Sequence, residues 1–265
     1  MSFKDKFQKQ FQKKQNFLCI GLDTDIQKMP EKMKKEKNPI LTFNQWIIEQ
    51  TEKYSVAYKP NMAFYEAYGL KGMEALYRTI EILHQLEIPV VLDAKRGDIG
   101  NTAEYYAKAV FEDLGADAVT LAPYMGFDSI EPFIRYQNKV SFVLGLTSNP
   151  SASDFELLET KDGKKIYEKV FEKVKEWNQK NKNLGLVIGA TKKEELEKMK
   201  SSFKDLSLLV PGVGTQGGDL AEVVKNLYQD NILLINISRA VIYDSDPEKK
   251  AKEYHERMRK LLEKN

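Results

Sequence analysis

Eight short apolar runs recur along the chain at fairly even spacing: Phe17 to Asp23, Ser55 to Asn61, Pro89 to Lys95, Ala118 to Tyr124, Val140 to Ser148, Leu184 to Ala190, Leu206 to Gly212 and Ile232 to Ser238. Each has the length and apolar content of a buried parallel strand. The stretches between them carry a helical period. Ala103, Tyr106, Ala107, Val110, Phe111 and Leu114 fall at i, i+3, i+4, i+7, i+8 and i+11, and Gly115 supplies a stop. A final helix is expected to start on Asp246 as N-cap with Pro247 in its first turn. Eight strand and helix alternations within 265 residues, with no linker-like segment, predict an α/β fold. The expected architecture is one (β/α)8 TIM barrel domain over residues 1–265. Residues 1–16, in which Phe3, Phe7 and Phe11 are spaced by Lys and Gln, predict an extra N-terminal helix packing on the barrel. The longest irregular stretch, Asn149 to Lys165, is polar and suits either a lid or a solvated loop.

Charge and composition narrow the function. Lys plus Arg number 41 against 39 acids, a net charge of +2, so no overall field favours nucleic acid or an anionic membrane, and any anion site must be local. The one cysteine, Cys19, lies inside an apolar run, which excludes a disulfide framework and suits a reducing compartment. The first residues lack the apolar core of a signal peptide, and no run approaches the roughly 20 residues of a membrane span. A cytoplasmic protein is expected. The two histidines, His84 and His255, fall on predicted amphipathic helices, which makes a His-based triad or a His-rich metal site a poor reading.

Polar residues gather where the strands end. The third run, Pro-Val-Val-Leu, stops in Asp93-Ala-Lys95-Arg-Gly-Asp98, and Gly97 and Gly100 break it before a helix begins near Asn101. In such folds ligands bind outside the carboxyl ends of the strands, where the loops converge. Asp93 and Lys95 are two apart, so on a regular strand their side chains would start on one face. Under the barrel reading Asp23 from the first strand and Lys59 and Asn61 from the second join them, a charge array whose members need one another to offset desolvation. A magnesium ion on Asp23, Asp93 and Asp98 is conceivable, but Lys59 and Lys95 in the same mouth would repel it. The seventh run leads into Pro211-Gly-Val-Gly-Thr-Gln-Gly-Gly-Asp219 and the eighth ends in Ser238-Arg239. Glycine-exposed amides after those two strands, with Arg239 as a bidentate cation, predict a phosphate site. Gly212, Gly214 and Gly217 also spell the dinucleotide fingerprint, yet six strands precede it and Arg239 stands near where a ribose-binding acid belongs. An NADP site could use that arginine.

These residues resemble the orotidine 5'-phosphate decarboxylase family, and within it the longer branch whose third-strand motif reads like Leu92-Asp-Ala-Lys-Arg-Gly-Asp-Ile-Gly-Asn-Thr102. The resemblance spans nearly the whole chain and includes Gly21-Leu-Asp23, Lys59-Pro-Asn61, Thr147-Ser-Asn-Pro150, the glycine-rich loop and Ser238-Arg239. It implies cofactor-free and metal-free conversion of orotidine 5'-phosphate (OMP) to UMP and CO2. Lys59, Asp93, Lys95 and Asp98 would be the catalytic network, with Lys95 as proton donor. Asp98 and Thr102 would reach the neighbouring subunit's site in a homodimer. Asp23 and Asn61 would serve the ribose, Thr147 or Ser148 the pyrimidine, and Gln216, Gly217, Gly218 and Arg239 the 5'-phosphate. A sister branch keeps the third-strand motif but acts on 3-keto sugar phosphates with magnesium, and its second strand ends in Glu where this chain has Lys59. A non-catalytic nucleotide binder is the reading from another class.

Overall fold

The structure is a computed structural model that describes all residues except 191–196, 198–202, 204, 214–218 and 264–265. Eight parallel strands form one sheet: β1 Leu18–Leu22, β2 Ala57–Pro60, β3 Val91–Arg96, β4 Ala118–Leu121, β5 Val140–Leu146, β6 Leu184–Ile188, β7 Ser207–Pro211 and β8 Leu233–Ile237. Their order is β2-β1-β8-β7-β6-β5-β4-β3. The two ends meet through parallel bridges pairing Tyr58 with Val90 and Asn61 with Asp93, which closes the barrel. Seven strands lie within their apolar runs, and β3 follows the third run but extends one residue beyond it, to Arg96. The runs extend past several strands into the loops, where they take in residues such as Asp23, Asn61, Ser148 and Ser238 at the carboxyl ends.

Side chains alternate across each strand, so every second residue faces the barrel axis. One such set, Cys19, Ala57, Val91, Ala118, Phe142, Val187, Leu209 and Leu234, packs as a single buried cluster together with Phe3 and Phe7. Those two phenylalanines belong to the N-terminal helix α1, Phe3–Lys14, which starts in a capping box between Ser2 and Asp5. The helix does more than pack on the barrel; it closes its amino-terminal end. The Phe3 amide donates to the Asn138 carbonyl just before β5, and the Phe3 ring meets Phe142 edge-on at 6.1 Å. Lys6 pairs with the buried Asp117 at 2.8 Å, and the Lys14 ammonium donates to the Glu52 and Ser55 carbonyls at 2.6 Å each. His84 stands 3.6 Å from the other Asp117 oxygen, which places it in this structural cluster.

The outer helices present their apolar faces to the barrel exterior, as their periodicity predicts. The helix Gly100–Lys108 runs on into a π-helical turn, Ala109–Asp113, before Gly115 ends it with φ +74°. Asp246 caps the last helix, Pro247–Leu262, through its side chain on the Lys249 amide at 2.9 Å. No helix among the described residues is long and apolar enough to cross a membrane.

Candidate active site

The period of two that fills the barrel also builds the site. Two residues beyond the apolar layer, toward the carboxyl ends, the same inward positions hold Gly21 (after Cys19), Lys59 (after Ala57), Asp93 (after Val91), Thr120 (after Ala118) and Asn236 (after Leu234). Gly21 admits no larger residue, because a Cβ there would stand 2.6 Å from the Ser238 Cβ. The close approach lets the Ser238 hydroxyl donate to the Gly21 carbonyl at 3.0 Å.

Asp93 is the hub. Lys59, nearly buried, donates to Oδ2 at 2.7 Å; Lys95 donates to Oδ1 at 2.6 Å; the buried Thr120 hydroxyl donates to Oδ1 at 3.0 Å. Burial alone would raise the Asp93 pKa, but the ammonium groups of Lys59 and then Lys95 outweigh it and hold the carboxyl well below the usual carboxylate range. For Lys59 burial works toward the neutral amine, and Asp93 and Asp23 overcome it, so its pKa is raised. The site is therefore a charged lysine–aspartate–lysine chain across two strands. Both Asp93 oxygens are engaged by ammonium groups, which leaves them poorly suited to ligate a cation. Cys19, one layer down, has its thiol pushed up to about 12 by burial and is no nucleophile.

Asp93 and Lys95 meet by a different route from the regular strand expected. Between Leu92, paired with Val119, and Arg96, paired with Leu121, β3 advances four residues while β4 advances two. Lys95 sits within this bulge in the left-handed region, φ +47°, and its amide is taken by Thr120 Oγ1 at 2.9 Å. The bulge exposes about half of the Lys95 side chain at the barrel mouth while its ammonium still reaches Asp93.

Asp98 does not join this network within the chain. Its carboxylate accepts from the Ile99 amide at 2.8 Å, and Thr102 is exposed in the first turn of the helix beginning at Gly100. Asn61 follows β2 at the mouth, where its side-chain oxygen caps the short helix Met62–Glu66. Asp23 follows β1 and is braced through its backbone: the Tyr243 hydroxyl donates to the Asp23 carbonyl at 2.8 Å and accepts from the Asp25 amide at 2.7 Å. Next to it Thr24 donates to the buried Asn44, which donates in turn to Tyr65 and Thr79. Among the described residues, Asp23 Oδ1 and Asn236 Oδ1 are buried acceptors without a donor.

Across the mouth, Thr147 is held by Glu156, whose carboxylate accepts from the Thr147 amide and hydroxyl at 2.7 Å each. Thr147 Oγ1 also lies 2.6 Å from Asn149 Oδ1. One hydroxyl proton cannot serve two acceptors, so the Asn149 amide is better turned to present its NH2. Ser148 packs against Gly189, where a Cβ would lie within 3.0 Å of its backbone and Cβ. The stretch 149–165 is partly ordered by a 3-10 turn, Pro150–Asp154, and by a bridge between Glu159 and Lys165. Arg239 is exposed at the start of the short helix Arg239–Ile242. Gln216, Gly217 and Gly218 lie outside the described residues, as does Gly214 of the dinucleotide-like spacing.

Sequence reasoning missed Thr120, Glu156, Tyr243 and Asn236. Thr120 and Asn236 carried a signal, each being the polar residue at an inward position of an otherwise apolar run. Glu156 and Tyr243 come from segments whose placement only the folded chain defines.

The model of the Orotidine 5'-phosphate decarboxylase / HUMPS family matches residues 16–254. Orotidine 5'-phosphate decarboxylase of Christiangramia forsetii is 54% identical over 241 residues, covering 89% of this chain and 88% of that protein. Its counterpart in Flavobacterium johnsoniae is 48% identical, covering 89% and 87%. Among solved structures, the OMP decarboxylase of Leishmania donovani superposes with a TM-score of 0.87 at 38% identity over 99% of both chains. A putative orotidine-monophosphate-decarboxylase of Toxoplasma gondii gives 0.92 at 31% identity, covering 98% and 96%. The match runs from just after α1 into the last helix and so contains every strand and the whole candidate site: the chain belongs to the orotidine 5'-phosphate decarboxylase family and is an enzyme of its decarboxylase class.

Proposed function

We propose that this chain converts OMP to UMP and CO2, a step of de novo pyrimidine biosynthesis in the cytoplasm, without metal or cofactor. The observation that carries the reading is the Lys59–Asp93–Lys95 chain at the barrel mouth. Breaking the bond between ring C6 and the carboxyl carbon leaves the electron pair on C6. With no cofactor to take up that charge, the protein must stabilise it with fixed charges and then supply a proton. Lys95 is the donor: its ammonium is exposed at the mouth, and solvent reprotonates it after each turnover. Asp93 faces the substrate carboxylate, and their repulsion is relieved as CO2 departs. Lys59, held charged by Asp93 and Asp23, keeps Asp93 ionised and fixed, so the array costs no reorganisation during the reaction.

The remaining roles follow position. Asp23 and Asn61 take the ribose hydroxyls, and the donor-less Asp23 Oδ1 suits a hydroxyl proton. Thr147 and Ser148 face the pyrimidine, and Gln216, Gly217, Gly218 and Arg239 hold the 5'-phosphate, whose binding energy is realised at the distant C6. Asp98 and Thr102 act in the site of a second subunit. Two features support that homodimer: Asp98 forms no hydrogen bond or ion pair with Lys59 or Lys95 of its own chain, and Ile99, Tyr105, Tyr124 and Met125 expose apolar surface on the neighbouring segments. A magnesium-dependent sugar-phosphate reaction is disfavoured by Lys59 and by the occupied oxygens of Asp93.

The roles separate in two variants. Lys95→Ala should lower kcat by at least about 10³-fold, a loss of the size general-acid groups contribute, while UMP still binds. Arg239→Ala should chiefly raise KM. Near-normal turnover by Lys95→Ala would overturn the proton-donor assignment.

A further inference from the structure

We propose that Thr120 is a positioning residue for proton delivery, and that its hydroxyl is what holds Lys95 in the backbone conformation from which the ammonium meets both Asp93 and the barrel mouth. The inference rests on the reading of Lys95 as proton donor. The β3 bulge removes Lys95 from the regular ladder with β4, since Leu92 pairs with Val119 and Arg96 with Leu121. Its amide thereby loses a strand carbonyl as acceptor. The Thr120 side chain supplies one instead, at 2.9 Å.

The hydroxyl has one proton, and its direction is set. Asp93 is ionised, with its carboxyl held well below the usual range by the two lysines, so it can only accept. The Thr120 proton is committed to Asp93 Oδ1 at 3.0 Å, which leaves its lone pair for the Lys95 amide. The same Oδ1 receives the Lys95 ammonium at 2.6 Å. One fully buried hydroxyl thus ties the two ends of the Lys95 residue, its amide directly and its ammonium through Asp93. A non-glycine residue at φ +47° relaxes toward negative φ unless its surroundings hold it. Such a flip would carry the long side chain away from Asp93. Thr120 touches the reacting atoms only through Lys95 and Asp93, so its loss should show in the chemical step and leave nucleotide binding alone.

The test is a set of four proteins assayed together for OMP turnover and UMP binding: the unaltered chain, Thr120→Val, Thr120→Ala and Thr120→Ser. Valine keeps the volume but neither donates nor accepts; alanine removes any steric objection; serine keeps the hydroxyl. Val and Ala should lower kcat by about 10–100-fold, the scale of a reacting group misplaced by about 1 Å. KM and UMP affinity should stay within about twofold, and Ser should recover most of kcat. Retention of kcat by Thr120→Val or Thr120→Ala within about threefold would overturn the proposal. So would equal losses of kcat and UMP affinity, or a folded Thr120→Ser no better than Thr120→Ala. Absence of turnover in the unaltered chain would instead overturn the decarboxylation reading on which this one rests.

Discussion

Replacing Lys59 by methionine keeps most of the side-chain volume and removes the charge, leaving Asp93 Oδ2 without its donor. The Lys59 side chain is 5% exposed and that of Asp93 11%, so water cannot readily take the place of the ammonium. Breaking a buried ion pair from one side costs about 3–5 kcal/mol. Here Oδ1 keeps Lys95 and Thr120, which places the expected loss near the lower bound, about 3 kcal/mol. Asp93→Asn should cost a similar amount by stranding Lys59. In the double variant neither uncompensated charge remains, so the two losses should fall short of adding by about 2 kcal/mol or more. Equilibrium urea unfolding at neutral pH, followed by the fluorescence of Trp46 and Trp177 and by circular dichroism, would measure this if the two signals coincide. A Lys59→Met loss under about 1 kcal/mol, or additivity within about 0.5 kcal/mol, would refute the charged-chain account. The pH dependence carries a sign. The folded Asp93 pKa lies below its unfolded value, so its contribution is full above about pH 4 and is lost as pH falls through the folded value. The folded Lys59 pKa is raised, so its contribution is full below about pH 10 and is lost as pH rises through the folded value. The Lys59→Met deficit should therefore be flat between about pH 5 and 9 and shrink outside that window.

Three further outcomes are expected. Phe7→Ala should destabilise the fold by about 3–5 kcal/mol, because Phe7 fills the amino-terminal end of the barrel, and should leave KM for OMP unchanged in the folded protein; calorimetry with a parallel activity assay would show both. Glu156→Ala should raise KM several-fold by freeing Thr147, while Glu156→Gln, which can still accept from the amide and pair with the hydroxyl, should stay near the unaltered enzyme; equal effects would remove Glu156 from the account. Inactive Lys95→Ala and Asp98→Ala chains should regain activity on mixing if Asp98 serves the neighbouring subunit, since one hybrid site keeps both residues. No recovery despite demonstrated subunit exchange would place Asp98 elsewhere.

The barrel was legible because parallel strands buried on both faces must be apolar throughout, and runs such as Leu184 to Ala190 leave few other readings. The same logic located Lys59 and Asp93, as charges interrupting apolar runs at their carboxyl ends. The bulge was not legible. Spacing placed Asp93 and Lys95 on one face of a regular strand, whereas the ladder slips by two residues and Lys95 turns left-handed. Pairing between strands decides that, and no local pattern in β3 records it. Thr120 stood out as a polar residue at an inward position of an apolar run, but its partner, an amide freed by the bulge, did not. Glu156 belongs to a stretch that reads as lid or solvated loop, and only the fold shows that it anchors Thr147. Phe3, Phe7 and Phe11 announced an amphipathic helix but not which end of the barrel it would close.

If the Lys59–Asp93–Lys95 chain drives decarboxylation, the reaction needs no metal. Mixing the purified protein with OMP in excess chelator and following the ultraviolet absorbance of the orotate ring tests this most directly. Rapid loss of that absorbance is expected, with UMP and CO2 formed in equal amounts. No loss in chelator, with turnover restored by magnesium or seen only on a sugar phosphate, would contradict it.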